Sequence, residues 1–216
     1  MSAARDLVVD ARCTRGALAL EANFTAGPGV TVLFGPTASG KTLTLRLVAG
    51  VERVERGAIR FGDATFDGDV HGARAFIPPR DRSLGFAPQD GALWPHRTAL
   101  EHLTPFTDAS RAKELLERVG LASHAARKPE RLSGGERQRL AFARALSRER
   151  AILLLDEPFS ALDDAARAAM GAIVTERAKS GVVLFVTHDR AEATRLGEQF
   201  VLFDRGKTIT RRRLEE

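Results

Sequence analysis

Residues 30–42, VTVLFGPTASGKT, run from a continuous apolar segment through a glycine-bounded loop to a lysine and a threonine. An apolar run without alternation is typical of a parallel strand that is covered on both faces. The loop has the spacing GxxxxGK followed by Ser or Thr, in which glycines let successive N–H groups turn towards one anion. A helix starting near Lys41 would direct the positive end of its dipole to the same place. We therefore predict a phosphate-binding loop (P-loop) between a buried strand and a helix.

The residues of this loop are predicted to hold the phosphates of a nucleotide. Lys41 supplies a point charge to the β- and γ-phosphates, and the Thr42 hydroxyl supplies a ligand for Mg²⁺. The alternative is a chance glycine loop with a surface lysine, which the preceding strand and the following helix disfavour. The predicted nucleotide-binding residues are Gly35, Pro36, Thr37, Ala38, Ser39, Gly40, Lys41 and Thr42.

Two later segments, AILLL (151–155) and VVLFV (182–186), are also continuous apolar runs, and stretches with helical spacing follow all three. By contrast, ALALEANF (17–24) alternates with period two, which predicts a half-buried strand at a sheet edge. Repeated strand, loop and helix units predict an α/β fold with functional loops at the carboxyl ends of the strands. We expect a P-loop NTPase core: a mainly parallel sheet flanked by helices, with an antiparallel β edge.

Apolar strand patterns are missing between residues 89 and 150, where two amphipathic helices are predicted instead. The two helical stretches are DASRAKELLERVGL (108–121) and GGERQRLAFARALSRE (134–149). We therefore predict a single domain over 1–216, in which an α-helical subdomain (89–150) is inserted into an α/β core (1–88 and 151–216).

The composition is that of a soluble globular protein, with 44% hydrophobic and 28% charged residues in a chain of 216. Cys13 is the single cysteine, which excludes an intramolecular disulfide and a cysteine-based zinc cluster. The sequence has neither a signal-peptide pattern nor an apolar run long enough to span a membrane. We expect a cytoplasmic protein that does not itself cross a bilayer.

The net charge of +5 and the pI of about 10.1 would suit nucleic acid, anionic lipid or an acidic ligand. The arginines are scattered, however, the densest basic tracts lack interleaved aromatic residues, and the chain has no tyrosine. A nucleic-acid groove normally combines basic and stacking side chains. We therefore interpret the charge as a solvated surface and expect no nucleic-acid partner.

Polar residues follow the apolar runs and are candidates for the chemistry. Asp156 and Glu157 end AILLLDEP: the first can hold the magnesium shell, and the second can orient or deprotonate an attacking water. His188, after VVLFV, can bond to the γ-phosphate or that water. Gln89 ends the short strand-like run in GFAPQD (85–90), and it can ligate Mg²⁺ and report the state of the nucleotide to the helical insertion. The alternatives without a catalytic role are a turn for the acidic pair, an ordinary polar residue at a strand end for His188 and a glutamine without a functional role for Gln89.

A second glycine-containing segment, RLSGGERQRL (131–140), lies directly before a helix rich in arginine. Ser133 and Glu136 have the spacing of a capping box, which satisfies the first N–H groups of a helix. A capping box does not require Gly134 and Gly135, each of which weakens a helix by about 1 kcal/mol relative to alanine. Such glycines are useful where a ligand approaches the backbone closely. We predict a second anion-binding helix start.

The ordered set GPTASGKT, Gln89, LSGGE, LLLDEP, SALD and the THD histidine resembles the nucleotide-binding subunit of an ATP-binding cassette (ABC) transporter, over essentially the whole chain. The resemblance implies that Asp156 is the Walker B aspartate, Glu157 the catalytic glutamate and Gln89 the Q-loop residue. It places Asp163 of SALD at a dimer interface. It also implies which residues reach the γ-phosphate held by the other subunit: Ser133, Gly134, Gly135 and Glu136.

The resemblance further implies an ATPase in which two copies close face to face on two ATP molecules with Mg²⁺. Closure would drive a separate transmembrane permease, and through it a substrate-binding protein, from the inner face of the cell membrane. The expected permease contact is residues 90–106, including Trp94, for which an ordinary core position is the alternative. Two other functions stay open: an ABC ATPase acting on nucleic acid or ribosomes, and a small-molecule phosphotransferase.

The stretch 77–103 is similar to importers of molybdate, sulfate and related oxyanions, in which a pair such as Pro95-His96 is common. Import of an oxyanion such as molybdate is therefore expected. Two departures from that pattern stand out. Such importers usually carry a C-terminal regulatory domain, which we expect to be absent here. The family also tends to place an aromatic residue before the P-loop strand for adenine stacking; here Arg12 or Arg15 is the expected substitute.

Overall fold

Eleven strands form one sheet in the computed structural model, which describes residues 6–70, 72–148 and 150–212. The strands are β1 (Leu7–Arg15), β2 (Leu18–Ala26), β3 (Gly29–Phe34), β4 (Arg56–Phe61), β5 (Ala64–Val70), β6 (Ala73–Phe76), β7 (Leu84–Ala87), β8 (Ile152–Asp156), β9 (Val182–Val186), β10 (Gln199–Asp204) and β11 (Lys207–Arg211). The α-helices are α1 (Lys41–Ala49), α2 (Ala109–Arg118), α3 (Gly134–Leu146), α4 (Asp164–Ala178) and α5 (Arg190–Leu196).

The parallel part of the sheet has the order β10-β3-β9-β8-β7. All residues of β8 and β9 and the first five of β3 are buried, as the continuous apolar runs predicted. Each of these strands is therefore covered on both faces of the sheet, which explains why apolar and polar residues do not alternate along it. The prediction of strands here, each followed by a helix, is confirmed.

The antiparallel part has the order β6-β5-β4-β1-β2 and ends at a parallel contact between β2 and β11. The alternation of β2 is confirmed, because Leu20, Ala22 and Phe24 are buried and their neighbours are exposed. The prediction that this strand is a sheet edge is wrong. β2 pairs with β1 along its whole length and with β11 through Glu21 and Lys207. Alternation reports one buried face, but not whether both hydrogen-bonding edges are paired.

Two hydrophobic clusters cover the two faces of the sheet. Val32 of β3 belongs to the cluster with α2, α3 and α4, whereas the adjacent Leu33 belongs to the cluster with α1 and the antiparallel strands. The described residues between β7 and β8 contain no strand, as predicted; they form α2, α3 and the short 3₁₀ turns Leu100–His102, Ala122–His124 and Pro129–Arg131. In the described ranges, no helix combines the length and apolarity needed to traverse a bilayer.

Candidate functional site

Four neighbouring parallel strands, β3, β9, β8 and β7, bring the predicted loops to one edge of the sheet. The P-loop follows β3, His188 follows β9, Glu157 follows β8, and Gln89 follows β7. A cleft of about 860 Å³ lies along this edge, and its lining includes Gly35, Lys41, Thr42, Gln89, Glu157 and His188. Residues that are far apart in the sequence therefore share one cavity of the size that holds small ligands.

The P-loop is shaped by close backbone packing. A Cβ on Gly35 would lie 2.4 Å from the Phe203 carbonyl oxygen, so a side chain at this position would displace β10. Gly40 precedes α1 in the left-handed region, with φ of 110°, and no side chain caps the helix. The first N–H groups of α1 are consequently left for a ligand, at the positive end of the helix dipole.

Two buried polar side chains of the loop point to an anion. The Ser39 hydroxyl has no hydrogen-bond partner within the described part of the chain, although its oxygen is inaccessible to solvent. The Lys41 ammonium donates to the carbonyl oxygens of Gly35 and Pro36, at 2.7 and 2.6 Å. Burial lowers the pKa of Lys41, and the negative charges of Glu157 and Asp156 oppose that shift. The phosphates of a nucleotide would supply the negative charge that a buried ammonium lacks.

Thr42 and Asp156 form a small oxygen site at the same edge. The Thr42 hydroxyl donates to a carboxylate oxygen of Asp156 at 3.1 Å. Asp156 is 2% exposed, and burial raises the pKa of its carboxyl despite the bond from Thr42. Hydroxyl and carboxylate oxygens are ligands that Mg²⁺ prefers. The described ranges contain no group of three or more His, Cys, Asp and Glu side chains that could hold a metal. The donors present thus fit Mg²⁺ shared with phosphate oxygens rather than an all-protein metal cage.

Glu157 lies between Gln89 and His188. One oxygen of its carboxylate is 3.2 Å from His188 Nδ1, and the other accepts from Gln89 Nε2 at 3.4 Å. The side chain of Glu157 is 20% exposed, whereas that of His188 is 67% exposed. Its backbone N–H donates to the Val186 carbonyl of β9 at 3.0 Å. The three predicted catalytic residues are therefore neighbours, with the carboxylate at the centre.

The second glycine segment is a helix start outside this cleft. Ser133 caps α3, and both bonds of the predicted capping box are present: Glu136 N–H to Ser133 Oγ at 3.2 Å, and Ser133 N–H to the Glu136 carboxylate at 2.7 Å. A Cβ on Gly134 would meet open space, but one on Gly135 would lie 2.7 Å from the Ala161 carbonyl oxygen. Gly135 is thus required by packing within the chain, a reason that the sequence did not reveal.

Asp163, predicted at a dimer interface, is an exposed residue that caps α4. Its side chain accepts from the Ala166 N–H at 2.8 Å. Its position at the surface leaves it accessible to another molecule, and the cap accounts for an aspartate here within the single chain.

Gln138, in α3, is a residue near the site that sequence reasoning missed. Its amide donates to the Glu157 carbonyl at 2.8 Å and to Ser160 Oγ at 2.9 Å, and accepts from the Ala161 N–H at 3.0 Å. Two residues after LSGGE, a lone glutamine among arginines carries no signal of its own. Its role depends on how α3 lies against the loop that follows β8.

Arg82 is a second missed residue, and it holds the far end of α1. It is 1% exposed and donates to the carbonyls of Leu47 and Val48, at 2.8 and 2.6 Å, and of Phe66, at 3.0 Å. Burial lowers the pKa of Arg82 to about 10, so it stays charged at neutral pH. A cation at a helix C-terminus complements the dipole and satisfies its last carbonyls. Arg82 thereby fixes the helix whose other end forms the P-loop.

The structure separates the two arginines proposed for base stacking. Arg15 lines the cleft beside Leu18, and its guanidinium is held by Glu52 at 2.9 Å and Glu55 at 2.8 Å. Arg12 is outside the cleft lining and pairs with Glu21 at 2.9 Å. Of the two, Arg15 is the one that lines the cleft.

Trp94 is half-buried, which is intermediate between the accessible position expected of a permease contact and the core position that was the alternative. It stacks on His102 and Phe106 with ring centroids 5.2 and 6.1 Å apart, and Arg97 and Arg144 lie over its ring. His102 is buried and accepts from the Trp94 N–H at 2.8 Å. The aromatic cluster holds the segment after Gln89 together, and Arg144 of α3 joins it to that helix by donating to the carbonyls of Ala92 and Gly91, at 2.6 and 2.8 Å.

Comparisons with known proteins give the relatives of this chain. The model of the family described as ABC transporter matches residues 20–160. The chain is 42% identical to an Fe(3+) ions import ATP-binding protein of Rhodococcus jostii over 85% of this chain and 54% of that protein. It is 36% identical to the molybdate/tungstate import ATP-binding protein of Archaeoglobus fulgidus over 97% of this chain and 88% of that protein.

The molybdenum import ATP-binding protein of Brucella suis is 39% identical over 93% of this chain and 58% of its own length. The chain thus spans only about half the length of several of the curated relatives it matches. Among solved structures, the dimeric post-hydrolysis state of the ATP-binding cassette MJ0796 bound to ADP and Pi has a TM-score of 0.77 at 24% identity, covering 96% of this chain and 98% of that one. That likeness shows the P-loop α/β fold. By its sequence match and its fold, the chain belongs to the ABC transporter family.

Proposed function

We propose that this chain is the ATP-binding and ATP-hydrolysing subunit of an ABC importer. The observation that carries the proposal is the meeting of the P-loop, the Thr42–Asp156 pair and the Gln89–Glu157–His188 group at one sheet edge. A phosphate-binding loop alone would support many functions. The added carboxylate above the same cleft supports hydrolysis.

The phosphates of ATP lie against the N–H groups of the P-loop, and Lys41 contacts the β- and γ-phosphates. Thr42, Asp156 and Gln89 would hold Mg²⁺, which would neutralise charge on the phosphate oxygens. Arg15 lies flat against the adenine in place of an aromatic residue.

Glu157 orients a water in line with the γ-phosphorus and accepts its proton. The water oxygen forms a bond to that phosphorus while the bond to the β–γ bridging oxygen breaks, giving ADP and phosphate. His188, 3.2 Å from the carboxylate, keeps Glu157 directed at the water.

The helix start at Ser133 supplies the other half of a second site. In a dimer of two copies, Ser133, Gly134, Gly135 and Glu136 of one subunit reach the γ-phosphate held by the other, and Asp163 lies at the interface. The exposure of Ser133 and Gly134, together with the open space at Gly134, supports this role. The N–H groups of a helix start also favour an anion.

Dimer closure is transmitted to a transmembrane permease, and through it to a substrate-binding protein, from the inner face of the cell membrane. The contact is the surface around Gln89 and residues 90–106, on a helical subdomain of residues 89–150. The relatives are import subunits named for molybdate, tungstate, molybdenum or Fe(3+). We favour an oxyanion such as molybdate as the transported substrate.

The first test is Glu157→Gln. Hydrolysis should fall by about 10²- to 10⁴-fold because the proton acceptor is lost, while ATP binding persists and an ATP-dependent dimer accumulates. Steady-state phosphate release, ATP titration and size-exclusion chromatography with light scattering measure the three. Asp63→Asn, an exposed carboxylate in the β4–β5 turn, is the control. Unchanged hydrolysis contradicts the role of Glu157, and a monomer at saturating ATP and Mg²⁺ contradicts the paired site.

A second test separates transport from action on nucleic acid. Phosphate release by the chain should be stimulated by co-purified permease in detergent or vesicles, and not by DNA or RNA. Stimulation by nucleic acid alone would overturn the transport function while leaving the ATPase site intact.

A further inference from the structure

The start of α3 and the loop that follows β8 are joined by several direct contacts. The Gln138 side chain makes three hydrogen bonds: it donates to the Glu157 carbonyl and to Ser160 Oγ, at 2.8 and 2.9 Å, and accepts from the Ala161 N–H at 3.0 Å. The backbone of Gly135 lies so close to Ala161 that a Cβ would be 2.7 Å from its carbonyl oxygen. The two segments therefore move together, because neither can shift without breaking these bonds or this close packing.

The backbone of Glu157 needs such support. Its φ is +48°, in the left-handed region that non-glycine residues rarely adopt. Such a conformation persists where the surroundings fix it. On one side the Glu157 N–H is bonded to Val186 of β9. On the other side its carbonyl oxygen accepts from Gln138 and, at 3.2 Å, from Ser160 Oγ. Pro158 follows, so the next residue offers no N–H to the loop.

The direction of the Glu157 side chain follows from that backbone. Rotation of the peptide unit after Glu157 would turn the Cα–Cβ bond and move the carboxylate away from His188 and Gln89. Because Gln138 binds the oxygen of this peptide unit, the amide of α3 fixes where the carboxylate points. Ser160 is exposed and its hydroxyl also bonds to Gln138, so it depends on the same amide for its own orientation.

From these contacts we infer that Gln138 is a positioning residue for hydrolysis: it ties the orientation of Glu157 to the start of α3. The inference rests on the proposed function, in which Glu157 receives the proton of the attacking water. Gln138 contacts neither ATP nor the water and acts through Glu157 alone. In the proposed dimer, the helix start that contacts the partner's nucleotide would thereby be linked to the catalytic glutamate of its own subunit.

The test compares Gln138→Leu with Arg139→Leu. Arg139 is the next residue of α3, and its guanidinium also donates two hydrogen bonds, to the carbonyls of Val119 and Gly120 at 2.9 and 3.2 Å. The two variants thus remove similar numbers of contacts from one helix, but only the first releases Glu157. Gln138→Leu should lower kcat by about ten- to a hundredfold through misplacement of the carboxylate, with the KM and Kd for ATP unchanged. Arg139→Leu should change kcat little.

A second variant keeps the result interpretable if Gln138→Leu folds poorly. Gln138→Glu retains an acceptor for the Ala161 N–H but, as a carboxylate, has no proton to donate to the Glu157 carbonyl. It should show the same loss of kcat as Gln138→Leu. Thermal unfolding of all variants checks that a loss of stability does not account for the difference in kcat.

The possible outcomes distinguish the inference from the proposed function. Equal effects of Gln138→Leu and Arg139→Leu on kcat, a raised KM with kcat unchanged, or wild-type kcat in Gln138→Glu would overturn the inference alone. Absence of ATP hydrolysis by the wild-type chain would overturn the proposed function and the inference with it.

Discussion

The chain contains two glycine-rich helix starts, and they are built in opposite ways. α1 begins in a cleft after Gly40, with no side-chain cap and with buried Ser39 and Lys41 beside it. α3 begins at the surface after Ser133, with both bonds of a capping box. Both carry the positive end of a helix dipole. They differ in what satisfies the first N–H groups.

That difference assigns different partners to the two helix starts. At α1 no side chain caps the helix, and the buried Lys41 ammonium is bonded to two carbonyl oxygens but forms no ion pair within hydrogen-bond distance in the described structure, so a ligand in the cleft can add the missing negative charge. At α3 the capping box already satisfies the N–H groups of Ser133 and Glu136, so this end depends less on a ligand. In the proposed function, α1 is therefore the resident phosphate site, and α3 takes part in a contact that is made and broken. The following predictions test this contrast, from the largest expected effect to the smallest.

Lys41→Ala should have the largest effect on the affinity for ATP. Loss of the ammonium removes charged hydrogen bonds to phosphate, which lowers the affinity for ATP by roughly 10- to 100-fold. Isothermal titration calorimetry on the isolated chain measures it. Ser133→Arg, at the other helix start, should bind ATP like wild type and lose hydrolysis. Equal losses of affinity in both variants would contradict the division of roles.

Gly135→Ala and Gly134→Ala should differ, although the two residues are adjacent. At Gly135 the new methyl would meet the Ala161 carbonyl, and such overpacking costs about 1–3 kcal/mol of the free energy of unfolding. At Gly134 the methyl enters open space, and alanine should stabilise α3 by up to about 1 kcal/mol. Urea unfolding followed by circular dichroism separates the two. A similar cost at both positions would refute the packing reason for Gly135.

Ser133→Ala and Ser39→Ala compare the two serines directly. Loss of the Ser133 cap should lower the free energy of unfolding by about 1 kcal/mol. Ser39 Oγ is buried without a partner in the described structure, so its removal should cost little in the absence of ligand. Thermal unfolding without nucleotide measures both. A larger loss for Ser39→Ala would show that its hydroxyl is already satisfied within the fold.

Asp156→Asn should raise stability slightly while it abolishes hydrolysis. Burial raises the pKa of Asp156 in the folded chain above its value in the unfolded chain. The folded state therefore binds the proton more tightly, and stability is lost as pH rises through the folded pKa. At neutral pH the buried carboxylate lowers the free energy of unfolding, and asparagine removes this destabilisation. Without Mg²⁺, we expect the Tm of Asp156→Asn to lie above that of wild type at pH 7, and the difference to shrink as the pH is lowered. A Tm below that of wild type at pH 7 would contradict the prediction.

Some features were predicted because they need only local sequence. The strands β3, β8 and β9 are continuous apolar runs, and α1 follows a P-loop. The capping box of α3 depends on the spacing within four consecutive residues. The common sheet edge of Gln89, Glu157 and His188 followed from one rule, that parallel strands end at the same side. These predictions depended on neighbours in the chain or on a general property of α/β sheets.

Other features depended on contacts between distant segments. β2 was expected at an edge but is internal, since β11, from the far end of the chain, pairs with it. The choice of Arg15 over Arg12 depended on Glu52 and Glu55, which hold Arg15 at the cleft. No local pattern distinguishes these cases, because the partners are contributed by other elements.

The sequence by itself determined the P-loop, the buried strands β3, β8 and β9 with the helices that follow them, and the identity of the acidic and amide residues at the strand ends, because spacing and polarity encode them directly. Only the tertiary structure decided why Gly135 must be glycine, where Gln138 reaches and how Glu157 is held between Gln89 and His188. These depend on the packing of α3 against the loop after β8, and such packing is set by the whole core rather than by any one segment.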